Sequence, residues 1–188
     1  MKRLFIAIKI KPGPSFLNTY YSLKKDLANE KIKWVNENNF HFTLKFLGET
    51  DESLITDISN TLENISLNTQ PIKLKIENLG IFGSRYNPRV IWVGIENNPQ
   101  ITEFANEILN KLDEVGFKRD RQNFVPHITI GRIKNVHNKK HLKRTIDRHK
   151  PLLYQEDTVN SFCLFESILT PEGPVYKKLK EFGLKMQL

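Results

Sequence analysis

Residues 40–48 read FHFTLKFLG and residues 126–134 read PHITIGRIK, so a histidine, a spacer and a threonine recur with His41 and His127 86 positions apart. The same offset carries RLFIAI, starting at Arg3, onto RVIWVG, starting at Arg89, and IKLKIENLGIF, starting at Ile72, onto TVNSFCLFESI, starting at Thr158. Three strand-like segments in one register constrain the fold more than any other feature of the chain. Repetition at a fixed spacing is the mark of a duplicated supersecondary unit. Two similar lobes related by an approximate two-fold are therefore expected, with repeat halves at about 3–82 and 89–169 inside one domain of residues 1–188. A chain of 188 residues can bury the core this needs without disulfides or structural metal.

Alternation and β-branched or aromatic enrichment predict strands at 3–10, 41–47, 72–82, 89–95, 127–133 and 159–169. Helical stripes fill the gaps: Phe16, Leu17, Tyr20, Leu23 and Leu27; Leu54, Ile55, Ile58, Leu62 and Ile65; and Ile101, Phe104, Ala105, Ile108, Leu109 and Leu112. The segment from residue 171 onward, with PEGPVY, lies outside the repeat and is expected to be an amphipathic strand or short helix.

Side chains alternate across a strand, so His41, Thr43 and Lys45 share one face and Phe42, Leu44 and Phe46 the other. In the second copy His127, Thr129 and Gly131 share a face opposite Ile128 and Ile130. Each strand then offers an apolar face to a core and a polar face to the groove between lobes, where two histidines and two threonines converge. Imidazole titrates near neutrality, so one ring can serve as base while the other serves as acid. Threonine hydroxyls can donate to the oxygens of an anion held between them. In-line displacement at the phosphorus of a strained cyclic phosphate fits this symmetry and needs no metal.

Two neighbouring residues are candidates for the same anion. Lys45 shares the strand face of His41 and Thr43 and is within reach of a phosphate there. Strict alternation puts Arg132 opposite His127, unless a bulge at Gly131 turns it back toward the groove. Tyr86 and Phe124 are candidates for stacking on a base. His137 and His141 are four apart but lack an H-E-x-x-H pattern, so they read, with His149, as part of a basic solvent-facing segment. Cys163, in an apolar run, reads as a small core residue.

The formal net charge of +8 favours an anionic partner, with nucleic acid the commonest, and the basic density peaks in the mostly helical stretch from Lys134 to Lys150. The basic, apolar start is interrupted by Lys9 and Lys11 and lacks a small-residue cleavage site, so it reads as a strand in a cytoplasmic protein. No stretch approaches the length of a membrane span.

At RLFIAI, HFTLKFLGE, FGSRYNPRVIWVGI, FVPHITIGR and LFESILTPEGPVY the sequence resembles the 2H phosphoesterase superfamily, and specifically the RNA 2',3'-cyclic phosphodiesterases, also called 2'-5' RNA ligases. The resemblance covers nearly the whole chain. It implies an α+β fold of two pseudo-symmetric lobes, with antiparallel sheets around a central cleft and helices outside. It implies a hydrolase that opens the 2',3'-cyclic phosphate end of an RNA to a 2'-phosphomonoester without metal or cofactor, and a monomer is the expected state. At the matched positions, His127 would be the proton acceptor that activates water and His41 the proton donor to the departing 3' oxygen. Thr43 and Thr129 would hold the non-bridging oxygens. The direction of proton flow comes from the resemblance alone, because the residues themselves are nearly symmetric. Ligation to a 2'-5' linkage at the same site, and a non-catalytic module that binds RNA ends or nucleotides, are the alternatives.

Overall fold

A computed structural model of the chain describes residues 1–119, 124–149, 153–171 and 173–185. Lys150, the end of the basic stretch, and Glu172 of the PEGPVY segment lie outside the described residues. In order, the elements are β1 (Lys2–Lys9), α1 (Pro14–Asp26), β2 (Lys31–Trp34), β3 (His41–Thr50), α2 (Ile55–Asn68), β4 (Ile72–Gly83), β5 (Pro88–Ile95), α3 (Pro99–Glu114), β6 (His127–Asn135), α4 (Lys139–Arg148), β7 (Leu153–Val159), β8 (Ser161–Thr170) and β9 (Gly173–Gly183). Proline opens both α1 and α3, where its missing N–H costs no helical hydrogen bond. The Asn98 side chain caps α3 by accepting from the Ile101 N–H at 2.9 Å. No helix among the described residues is long and apolar enough to cross a membrane.

The strands form one antiparallel sheet in the order β7-β4-β5-β6-β3-β1-β8-β9, with β2 added alongside β6. The seam is the β3–β6 pair, which meets at Phe42 and Ile128. On either side the sequence repeat is mirrored: β1 beside β3 answers β5 beside β6, and β8 answers β4. β4 belongs to the first half of the sequence yet pairs with β5 of the second, while β8 belongs to the second half yet pairs with β1 of the first. The sequence repeat is therefore not the spatial lobe, since each lobe takes a strand from the other half.

Helices α1 to α4 lie against one side of this sheet, where the larger hydrophobic core joins residues from both halves, from Leu4 and Phe42 to Ile128 and Phe182. The predicted stripes of α1 and α3 are on that core, with Phe16, Leu23, Phe104 and Ile108 almost fully buried. Leu54 departs from its predicted stripe: it sits in a short 3-10 turn ahead of α2 and is 39% exposed. Among the described residues a second, small buried cluster of Phe5, Ala7, Cys163 and Phe165, with Tyr176 packed on it, lies apart from this core, beside the cleft.

β3 and β6 each carry a bulge at the corresponding place. Ile6 opposes Lys45 and Ala7 opposes Thr43, leaving Leu44 as the extra residue. Ile91 opposes Gly131 and Trp92 opposes Thr129, leaving Ile130 as the extra residue. A bulge inserts one residue into the two-residue alternation, so everything beyond it changes face. Both strands accordingly show two adjacent buried residues, Leu44–Lys45 and Ile130–Gly131, followed by an exposed one, Phe46 and Arg132. Gly131 suits the inward position because a Cβ there would meet Ile32 Cγ2 at 3.1 Å and Trp34 at 3.2 Å.

β2 and the separation of β7 from β8 were not predicted, whereas the last segment takes the strand alternative of the two expected for it. β2 has four residues, too few for alternation to stand out. The run predicted at 159–169 is broken by Asn160 into the end of β7 and the whole of β8. The segment after residue 171 is the strand β9, which completes a long hairpin with β8.

Candidate active site

His41, Thr43, His127 and Thr129, predicted to converge, line one cavity of about 590 Å³ on the cleft side of the seam. His41 starts β3 and His127 starts β6, and each is held in the same way. The Nδ1–H of His41 donates to the Asn39 carbonyl at 2.6 Å and that of His127 to the Val125 carbonyl at 2.7 Å, both two residues upstream. With Nδ1 committed as the donor, the neutral ring carries its lone pair on Nε2, which is thereby the nitrogen available for proton transfer.

Aromatic rings fix the orientation of both imidazoles. His41 packs on Phe5, at 5.2 Å between centroids, and on Tyr176, at 5.1 Å in a T-shaped contact, and those two rings meet each other at 5.0 Å. His127 stands edge-on to Phe82 at 4.7 Å. Burial is the chief reason that both histidines are held below the ordinary imidazole pKa. In each case the carbonyl acting on Nδ1 opposes this, while the Arg132 guanidinium adds to it. Both rings are thus kept neutral near neutral pH. An anion bound between them reverses the sign of the local field and favours an imidazolium.

This has a consequence for stability. A folded-state pKa below the unfolded value means the unfolded chain binds protons more readily, so stability is full above the unfolded imidazole pKa of about 6.5 and falls as pH drops through the folded value. The melting temperature is expected to decline on acidification in that window, and His41→Gln should flatten the decline. Equal slopes for the two proteins in thermal melts at several pH values would contradict this origin.

Arg132 lines the cavity with its side chain exposed, because the bulge at Ile130–Gly131 turns it from the face that strict alternation assigned. Lys45 is a correction. The matching bulge at Leu44 sends it to the core side, where it is only 4% exposed and its Nζ donates to the Lys118 carbonyl at 2.7 Å. Lys45 does not line the cavity. Of the two aromatics singled out from sequence, Phe124 packs against Phe42 at 5.7 Å, and Tyr86 is exposed in the β4–β5 loop beneath the Arg85 guanidinium. Neither lines the cavity.

The side chains that do line it include Phe46, Phe82, Tyr176 and Lys33. Phe46 is reached by the same bulge that withdraws Lys45, and it is 61% exposed. Lys33 comes from β2 and extends toward Gly173, whose positive φ of 139° forms the β8–β9 turn. Periodicity predicted none of these placements, although the offset of 86 pairs Phe46 with Arg132.

The remaining sequence candidates lie elsewhere. The His141 ring Nε2 meets the Asp26 carbonyl at 3.0 Å, and α4 buries Leu142, Thr145 and Ile146, so the basic segment is solvent-facing on one side only. No group of three or more metal-ligating side chains occurs among the described residues. Cys163 is buried, which pushes its thiol up to about 11.

The LigT-like phosphoesterase family model matches the chain twice in succession, at residues 10–92 and 93–176. The RNA 2',3'-cyclic phosphodiesterase of Methanocaldococcus jannaschii is 39% identical over 180 residues, covering 96% of this chain and 99% of that protein. The enzyme of the same name from Archaeoglobus fulgidus is 34% identical, with 96% and 99% covered. Among solved structures, a Thermus thermophilus protein superimposes with a TM-score of 0.79 at 25% identity, with 97% of each chain covered. Escherichia coli LigT complexed with 3'-AMP gives a TM-score of 0.73 at 23% identity, over 98% of this chain and 99% of that one, a likeness of fold.

Proposed function

Because the chain belongs to the LigT-like phosphoesterase family, we propose that it hydrolyses the 2',3'-cyclic phosphate end of an RNA to a 2'-phosphate and a free 3'-hydroxyl. One observation carries this reading. Two imidazoles, each committed through Nδ1 to a carbonyl two residues upstream, share a cavity with two threonines and an arginine. In the reaction, His127 Nε2 removes a proton from a water as its oxygen attacks phosphorus. The bond to the 3' oxygen breaks, and His41 Nε2–H protonates that oxygen as it leaves. Thr43 and Thr129 hydroxyls and the Arg132 guanidinium hold the non-bridging oxygens as charge builds on them.

The substrate's own charge prepares the acid. Burial and Arg132 favour the neutral form of His41, and a bound phosphate anion offsets both, so the doubly protonated ring forms in the substrate complex. Its Nδ1–H stays on the Asn39 carbonyl, which stabilises the positive ring. On this reading residues 1–188 act as one bilobal domain and a monomer.

The test is incubation of an RNA ending in a 2',3'-cyclic phosphate in the presence of a chelator. A 2'-phosphomonoester is expected; a 3'-phosphate, or tight binding without product, would overturn the reading. Arg132→Met should lower kcat/KM about tenfold to a hundredfold, as a lost charged hydrogen bond does, with the far-ultraviolet circular dichroism spectrum unchanged. The cavity, at about 590 Å³, is larger than a water needs. A 5'-hydroxyl in place of that water would give a 2'-5' linkage by the same two proton transfers.

A further inference from the structure

His41 lines two recesses, the cavity already described and a second pocket of about 120 Å³, and shares both with Asn39 and Tyr176. The second pocket is otherwise walled by Phe5, Lys9, Asn38, Phe40 and Phe165. Lys9 ends β1 directly opposite His41 in the β1–β3 ladder, and its side chain is exposed. Among the described residues Lys9 forms no ion pair, and Glu181 across the same face is held by Lys178 and Ser161. Lys9 acts on Glu181 and Cys163 through its field alone, and the chemistry at phosphorus gives no role to it or to the Asn38 amide that shares its pocket.

The geometry of the substrate supplies one. Both ester oxygens of a 2',3'-cyclic phosphate belong to a single ribose. On the reading proposed above, the departing 3' oxygen faces His41 and the attacking water faces His127. The ribose, and the strand that continues from its 5' oxygen, therefore lie on the His41 side of phosphorus. We propose that the small pocket is a subsite for the phosphodiester joining the last two nucleotides of the RNA, with Lys9 Nζ as its cation and the Asn38 side chain as a neutral donor. Phe5, Phe165 and Tyr176 form the apolar wall against which the sugar rests.

The subsite is coupled to the acid. Asn38 and Asn39 belong to the 3-10 turn Glu37–Asn39, and the Asn39 carbonyl is the group that holds the His41 ring. A phosphodiester bound against this turn steadies the residue that must protonate the leaving oxygen. The substrate class that follows is an oligonucleotide with a cyclic end, in preference to a 2',3'-cyclic mononucleotide.

The test compares a 2',3'-cyclic mononucleotide with a dinucleotide carrying the same cyclic terminal nucleoside, using the wild-type protein, Lys9→Ala and Lys9→Arg. The wild type should favour the dinucleotide by about tenfold or more in kcat/KM. Lys9→Ala should lose most of that preference while its mononucleotide turnover stays within about twofold, and Lys9→Arg should keep it, as expected for a single phosphate contact. With the dinucleotide, the slope of log kcat/KM against log salt concentration should become shallower by about 0.7 in Lys9→Ala, the value for one phosphate of a single strand. Equal use of both substrates by the wild type, or an equal loss on both in Lys9→Ala, would overturn the subsite and leave the hydrolase reading intact. Turnover of neither substrate by the wild type would overturn the hydrolase reading, and the subsite with it.

Discussion

His127→Ala and His41→Ala are each expected to lower kcat for a cyclic-phosphate RNA end by about 10²- to 10⁴-fold, the range for removing a positioned acid or base. On the proposed mechanism KM should change little in either variant, because Thr43, Thr129 and Arg132 are all still present. The double variant should be little worse than the single ones, since two transfers that act together do not contribute independently. The pH dependence should separate the two roles. Both free-protein pKa values are held below the ordinary imidazole value, so kcat/KM should keep its basic partner competent into mildly acidic solution and lose its acid as pH rises. In the bound complex the phosphate raises the pKa of the acid, so the alkaline limb of kcat should lie at higher pH than that of kcat/KM. His41→Ala should remove that limb, and His127→Ala the acidic one. Full turnover in either single variant would refute the mechanism.

Phe42→Ala is expected to cost about 3–5 kcal/mol of folding stability, the usual range for emptying a buried aromatic site. Phe42 is 1% exposed, pairs with Ile128 at the seam and packs on Phe124. It also lies between His41 and Thr43 on β3, so collapse of its site displaces both, and activity should fall even at temperatures where the variant is folded. Phe42→Leu should recover most of both losses. The check is the denaturant midpoint in urea at constant slope; a shift worth less than about 1 kcal/mol would show that the seam does not depend on this ring.

The repeat was the most legible feature of the chain because it needs only identity of pattern. His41, Thr43, His127 and Thr129 precede the bulges, where two-residue alternation holds, and their common face was predictable from sequence. Lys45, Arg132 and Phe46 follow the bulges. There alternation assigns the wrong face, and only a consideration like the one applied to Gly131 could signal it. Leu44 has no glycine beside it, so nothing in the first copy warned that Lys45 turns inward and Phe46 outward; the copy in β6 would have served as the warning. The pairing of β4 with β5 and of β8 with β1 was not legible, because the hydrophobic pattern of a strand says which face is buried but not which neighbour it meets.

That exchange of strands between the halves bears on how the molecule comes apart. A fragment ending in the β4–β5 turn would retain β4 without the partners that cover it, and would lack β8, which closes the edge of β1. Neither fragment holds a complete sheet or a closed core, so the two should be unfolded separately and structured only when mixed, as two interlocked chains. The intact protein is correspondingly expected to show one melting event rather than two. Loosening either end of the sheet then loosens both imidazoles, and catalytic competence is a property of the whole chain rather than of one half.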